Sequence, residues 1–401
     1  MPYQQGIISQ LRHDAPFAWF LRDAAEYNPN FRKRELDELE ERLQGYMRCL
    51  ILTETQGETI LSKIRPDDWG AVFTIAYAAI STSNEKAFLL AVDAVETEAQ
   101  SRELCNALKR FPFKRVKSYI LNIAHHTNPW VQAAVIRAVA HHFDKINPDW
   151  LLPHLKSEVP AVRVAALRVI GDEGLIAHKD QITAHLDHAE ASIRFQAAFS
   201  GNLLGIDLAY KTLLTFCFTD NPYLRKALGL VHHLHDIPAI ERAVPRIQNS
   251  ELSTRIKAYN IAMAGLVDWM SVLLEWMKDS EYAPLAGEAF CFITGADLDA
   301  DDLLLRNLEI SVNQEIPLTQ KRKQDHWAQA YENDLPWPDP DAVAAWWEIN
   351  RQRFKQGTRY LAGRTLTEEN LLQVKEEGTQ PQRHQAELIL RLLHINSKNP
   401  S

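Results

Sequence analysis

Cysteine is scarce and scattered in this chain. The four thiols, Cys49, Cys105, Cys217 and Cys291, lie at least 56 positions apart in 401 residues. No CxxC pair exists for zinc or redox work, and a disulfide framework does not fit; reduced thiols in the cytoplasm are the expectation. Glycine is low as well, 15 residues or about 4% against an average of about 7%, which suits helices and disfavours tight hairpins. The longest apolar stretch, residues 69–80, falls far short of the roughly 20 needed to span a bilayer. The first 20 residues lack the basic, apolar and small-residue layout of a secretory leader. Cations are outnumbered, 44 to 52, giving a net charge of −8, so bulk attraction to nucleic acid or an anionic membrane is disfavoured. Catalytic signatures are missing too: the sequence holds no Gly-x-Ser-x-Gly elbow, phosphate-binding glycine loop or His-Glu-x-x-His helix.

What is present is a repeat. Five segments align without gaps, and their central polar position falls at Gln132, Arg163, Arg194, Arg225 and Arg255, spaced 31, 31, 31 and 30 residues apart. A further step of 31 reaches Ala286 in a plausible sixth unit. One residue before this slot stand Val131, Val162, Ile193, Leu224, Thr254 and Leu285; three after it stand Val135, Ala166, Ala197, Leu228, Ala258 and Ala289. Positions four apart share one helical face, so these residues predict a buried stripe. Another helical stretch of similar length precedes each aligned one, at residues 150–156, 181–186, 208–218, 239–247 and 267–277, across a polar turn. Neither helix of a pair can bury its apolar face alone, so the units must stack.

The pattern resembles HEAT repeats, in which a turn acid and the slot arginine form a ladder between units. The expected fold is therefore all-α, a HEAT-like α-solenoid of helix pairs with a period of about 31 residues and atypical helical caps at both ends. The expected segments are an N-terminal cap at 1–60, the solenoid at 61–299 and a C-terminal helical region at 300–401. Leu36, Leu39 and Leu43 mark one face of an amphipathic N-terminal helix. Asp339 and Pro340 predict the start of a helix carrying Trp346 and Trp347.

Several stretches outside the repeats resemble one bacterial family. Phe20-Leu-Arg22 and Leu36-Asp-Glu-Leu-Glu-Glu-Arg-Leu43 are similar to its N-terminal signature, and Ala286-Gly-Glu-Ala-Phe-Cys-Phe-Ile-Thr-Gly-Ala-Asp-Leu298 to its main internal block. Leu335-Pro-Trp-Pro-Asp-Pro340, Trp346-Trp347, Gly357-Thr-Arg-Tyr-Leu-Ala-Gly363 and Gln382-Arg383 resemble its C-terminal part. This is an uncharacterised HEAT-repeat family found beside type VI secretion genes, and the resemblance implies a context without any catalytic residues.

Histidine pairs stand at His125-His126, His141-His142 and His232-His233. HEAT-fold di-iron hydroxylases need His-Glu dipeptides on successive repeats, and the chain contains none. His232-x-x-His235-Asp236 is the best residual metal candidate; surface histidines at helix ends are the blander reading. Asp299, Asp301 and Asp302 match a calcium loop only in composition. The expectation is accordingly no metal, no cofactor and no enzymatic activity, with a HEAT-fold hydroxylase or base-excision enzyme as the alternative. The preferred expectation is a scaffold for a secretion-system effector or spike-tip protein, acting as adaptor or cytoplasmic immunity protein. Membrane and nucleic-acid partners are not expected. Second helices should line the concave face, so Arg137, His141, Arg168, His232 and His233 are the expected partner contacts, with Trp346 and Trp347 as further anchors.

Overall fold

Every slot-flanking residue named above except Thr254 is buried: Val131, Val162 and Leu224 are fully enclosed, as are Ala166 and Ala197. The 31-residue register thus becomes the apolar stripe of successive second helices. A computed structural model describes residues 2–55, 61–65, 70–142, 148–305 and 331–398. Among the described residues the chain is all-helical apart from one antiparallel pair of two-residue strands. No described helix is long and apolar enough to cross a membrane.

The chain packs as two units that cut across the three segments read from the sequence. The first comprises residues 1–26 and 34–212, the second residues 27–33 and 213–401. In the first unit, α1 (Pro2–Ala25) and α2 (Lys33–Thr55) precede α3 (Ala71–Thr82), α4 (Glu85–Asp93), α5 (Glu98–Lys109) and α6 (Phe113–Ile123). Helix α3 is apolar all round, as a helix surrounded by protein must be, and its residues 71–76 and 78–80 are buried. Trp19 of α1 stacks on Phe73 of α3 with ring centroids 3.5 Å apart. Gly70 makes that approach possible: its φ is +82°, and a Cβ there would lie 2.1 Å from the Pro16 carbonyl oxygen.

The start of α3 carries a buried carboxylate. Glu103 of α5 accepts the Gly70 and Phe73 amides at 3.2 Å each. Burial pushes this carboxyl up to about 7, outweighing the lowering by those amides, and Asp23 adds to the rise.

The repeats follow as α7 (Pro129–His142), α9 (Pro160–Asp172) and α11 (Ala191–Leu203), with α5, α7, α9 and α11 packed in sequence. Their short first helices are α8 (Leu152–Leu155) and α10 (Lys179–Thr183), each entered through a 3-10 turn; α12 (Asp207–Thr215) follows.

In the second unit α13 (Leu224–Val231), α15 (Thr254–Ala264) and α17 (Ala283–Thr294) are the second helices, and α14 (Ile237–Gln248) and α16 (Met270–Trp276) the first. Asp236 caps α14 by accepting the Ala239 amide at 3.0 Å. Helix α18 (Pro340–Asn350) starts where Asp339 and Pro340 predicted, with Asp339 accepting the Asp341 and Ala342 amides. Strands β1 (Tyr360–Leu361) and β2 (Arg364–Thr365) then form a hairpin, followed by α19 (Glu368–Glu377) and α20 (Gln380–Lys398).

Candidate functional site

Among the described residues Gln132 and Arg163 pair with no acid, so the expected acid–arginine ladder is not built there; the slot side chains of the first unit bond within their own turns. Each reaches back six residues to a carbonyl in its own turn: Gln132 to His126 at 2.8 Å, Arg163 to Ser157 at 2.9 Å and Arg194 to His188 at 2.6 Å. Arg163 also meets the His188 ring at 2.8 Å, so a histidine occupies the place expected for an acid. In the second unit Arg225 turns to Glu288 at 2.5 Å and Arg255 to Glu332 at 2.6 Å. Arg255, 3.8 Å from Asp220, retains a turn-acid partner of the expected kind.

Five positions past the slot, Arg137 and Arg168 share the register but not the surroundings. Arg168 is exposed and, among the described residues, pairs with Asp172, one helical turn on, at 3.3 Å. Arg137 is partly withdrawn. Its Nη2 donates to Ser101 Oγ at 2.6 Å and its Nε to the Ala133 carbonyl at 3.1 Å, while Ser101 donates to the Trp130 carbonyl at 2.6 Å. Among the described residues no carboxylate pairs with Arg137. Burial lowers its affinity for the proton. His141, at the end of α7, is exposed, and its ring stands edge-on to His142 at 5.1 Å. Desolvation first, then Lys109 and His142, lower its pKa.

The expectation that His232 and His233 are exposed contacts is corrected. His232 is 4% exposed, and its Nε2 meets Asn260 Oδ1 at 2.9 Å. His233 lies against Arg359, with ring nitrogens 3.2 and 3.4 Å from the guanidinium. Desolvation and then the Arg359 charge push His232 down to about 4 and hold His233 well below its ordinary range. Both rings are therefore neutral near pH 7. The physical reason is Arg359. Its guanidinium donates to the His232 carbonyl at 2.7 Å, to Ala264 at 2.8 Å and to Met263 at 3.0 Å. These are orphan carbonyls at the C-terminal ends of α13 and α15, where a cation is favoured.

The hairpin continues this capping. The Tyr360 amide donates to Gly265 O, and the Ala362 and Gly363 amides donate to Phe292 O and Ile293 O, all at 2.8 Å. Gln382 and Gln385 of α20 add bonds to Cys291 O at 3.0 Å and Gly229 O at 3.1 Å. Three stretches that carry the family resemblance thus meet one another at helix ends. Arg359 was missed in the sequence because its partners lie roughly a hundred residues upstream; only its place in Gly357–Gly363 pointed to it.

Trp346 and Trp347 are both half-buried. Their indoles approach Phe290 edge-on at 5.7 and 6.0 Å, and Trp347 also reaches Phe354 at 5.4 Å. Adjacent helical side chains diverge, yet two large rings can straddle one phenyl ring between them.

The histidine metal candidate does not assemble. His232 is committed to Asn260 and Asp236 to its helix cap, and among the described residues no three His, Cys, Asp or Glu groups could hold a metal ion. Asp297 and Asp301 accept turn amides instead, and Asp297 pairs with Arg32 at 2.6 Å. No protein-family model matches the chain, and neither the curated proteins nor the solved structures include a match.

Proposed function

We propose that this chain is a non-enzymatic, HEAT-like protein-binding scaffold of a type VI secretion effector module. Its role is that of an effector adaptor or a cytoplasmic immunity protein. The resemblance quoted above supplies the secretion context. The observation that supports binding is Arg137: a cation held in place by Ser101 and Ala133, without a carboxylate partner among the described residues. Exposed Arg168 stands one repeat further on. A fixed, incompletely paired guanidinium beside an exposed one suits an acidic segment of a protein partner, because charge-assisted bonds are strong where the donor is already oriented.

The test is co-purification with the products of neighbouring genes, using the wild type and Arg168→Glu. Wild type should retain one such product, and the charge reversal should weaken capture about tenfold, or roughly 1.4 kcal/mol, at unchanged helicity. Failure of the wild type to retain any of them, or equal capture by the variant, would count against the reading.

A further inference from the structure

A second candidate site lies in the second unit, apart from the arginines just discussed. A cavity of about 540 Å³ opens beside the β1–β2 hairpin, a volume typical of small-molecule sites. Three cations line it, Arg353, Lys355 and Arg364, together with Thr358, Thr365 and Asn370. Among the described residues no acid lines it, in a chain whose net charge is −8.

The donors are not used up by their surroundings. Arg364 is oriented by Gln373 at 2.7 Å and Glu377 at 2.6 Å, which leaves part of its five-donor fork free. Arg353 donates one bond to Asn350 Oδ1 at 3.0 Å. Lys355 is exposed, and its ammonium pairs with no described residue. Thr365 Oγ1 accepts from Asn370 at 2.9 Å, so its own proton remains to be donated. The Glu241 carboxylate stands beside Gly357 and is not among the residues that line the cavity.

The scaffold is fixed before any ligand arrives. Tyr360 is buried; its hydroxyl accepts the Lys355 amide at 2.9 Å and its ring packs edge-on against Phe354 at 5.0 Å. Ala362 and Gly363, with φ of +50° and +74°, make the turn between the strands, the left-handed geometry that two-residue hairpins use. The cations therefore stand on a loop whose backbone is tied down.

The geometry points to a binding site for a small polyanion carrying phosphate groups. Guanidinium forks and an ammonium converge where bidentate and point-charge recognition of phosphate oxygens is favoured. Among the described residues the lining offers no exposed aromatic face, since its one aromatic residue, Tyr360, is buried. That disfavours a stacked nucleobase and favours a polyphosphate or phosphorylated polyol.

Titration calorimetry with inorganic tripolyphosphate on the full chain tests this, at ionic strength held constant with sodium chloride. Saturable one-to-one binding is expected. Arg353→Ala and Lys355→Ala should each weaken it about tenfold, with the melting temperature of the free protein unchanged. Both side chains are exposed, so folding should survive. Absence of binding, or binding indifferent to both substitutions, would overturn the site. Citrate binding as tightly as tripolyphosphate would overturn the assignment to phosphate. Neither result depends on capture of a protein partner.

Discussion

Arg359 donates to the carbonyl oxygen of His232 at 2.7 Å while its charge helps keep the imidazole of that same residue neutral. One guanidinium thus ends two helices and adds to the burial that keeps two histidines neutral. Burial pulls Arg359 itself down to about 10.

Removing Arg359 should be costly. Arg359→Ala leaves the carbonyls of His232, Met263 and Ala264 without that donor, and each buried orphan costs about 1–3 kcal/mol. A loss of about 3 kcal/mol or more is expected in urea denaturation. Arg359→Lys should recover only part of it, because a point charge cannot bridge two helix ends. A loss below 1 kcal/mol for the alanine variant would show that the capping contributes little.

Acid should weaken the second unit. His232 and His233 have folded pKa values below the ordinary 6.5, so their contribution is fully present above pH 6.5. For His232 it is lost as pH falls through about 4; the limiting slope is about 1.4 kcal/mol per pH unit for each neutral group. Denaturation midpoints should fall between pH 6.5 and 4, and His232→Gln with His233→Gln should flatten that slope. An unchanged slope in the double variant would refute the assignment.

Glu103 runs in the opposite direction. Its folded pKa, raised from 4.5 to about 7, makes its contribution full below pH 4.5 and lost as pH rises through 7. Glu103→Gln should raise the melting temperature at pH 8 and have little effect at pH 4. The sign would be wrong if the variant were less stable than wild type at pH 8, where the carboxylate's bonds to Gly70 and Phe73 would then outweigh its burial.

Arg137 should trade stability against binding. Arg137→Met replaces a desolvated charge by an apolar chain of similar length, and Ser101 keeps its bond to Trp130. Such replacements are often neutral or stabilising, here by about 1 kcal/mol. Partner capture should fall at the same time. If capture is retained at full strength, Arg137 is a packing residue and the binding face lies elsewhere.

The buried stripe was legible because it is local. Positions one before and three after the slot must share a helical face, and they are buried wherever the residue is apolar. Asp339 with Pro340 was legible for the same reason, since a cap acts on its own first turn. Exposure was not legible. Arg137 and Arg168 occupy one register, yet only Arg137 faces a Ser101 hydroxyl that draws it inward. His232 and His233 looked like helix-end surface residues until Arg359 arrived from more than a hundred residues downstream. Periodicity reports what a helix does to itself, and these positions are decided by what another segment brings to them.

The six-residue reach of Gln132, Arg163 and Arg194 has a consequence for how such a chain can lengthen. Donor and acceptor of each latch lie inside one 31-residue period. Copying a period copies both halves, so a tandem duplication arrives with its turn already closed and asks nothing new of the neighbouring sequence. A ladder between units would instead require each newcomer to match the residues on either side. Gln132 doing the work of arginine fits that economy, since an amide is enough to close a turn that belongs to itself.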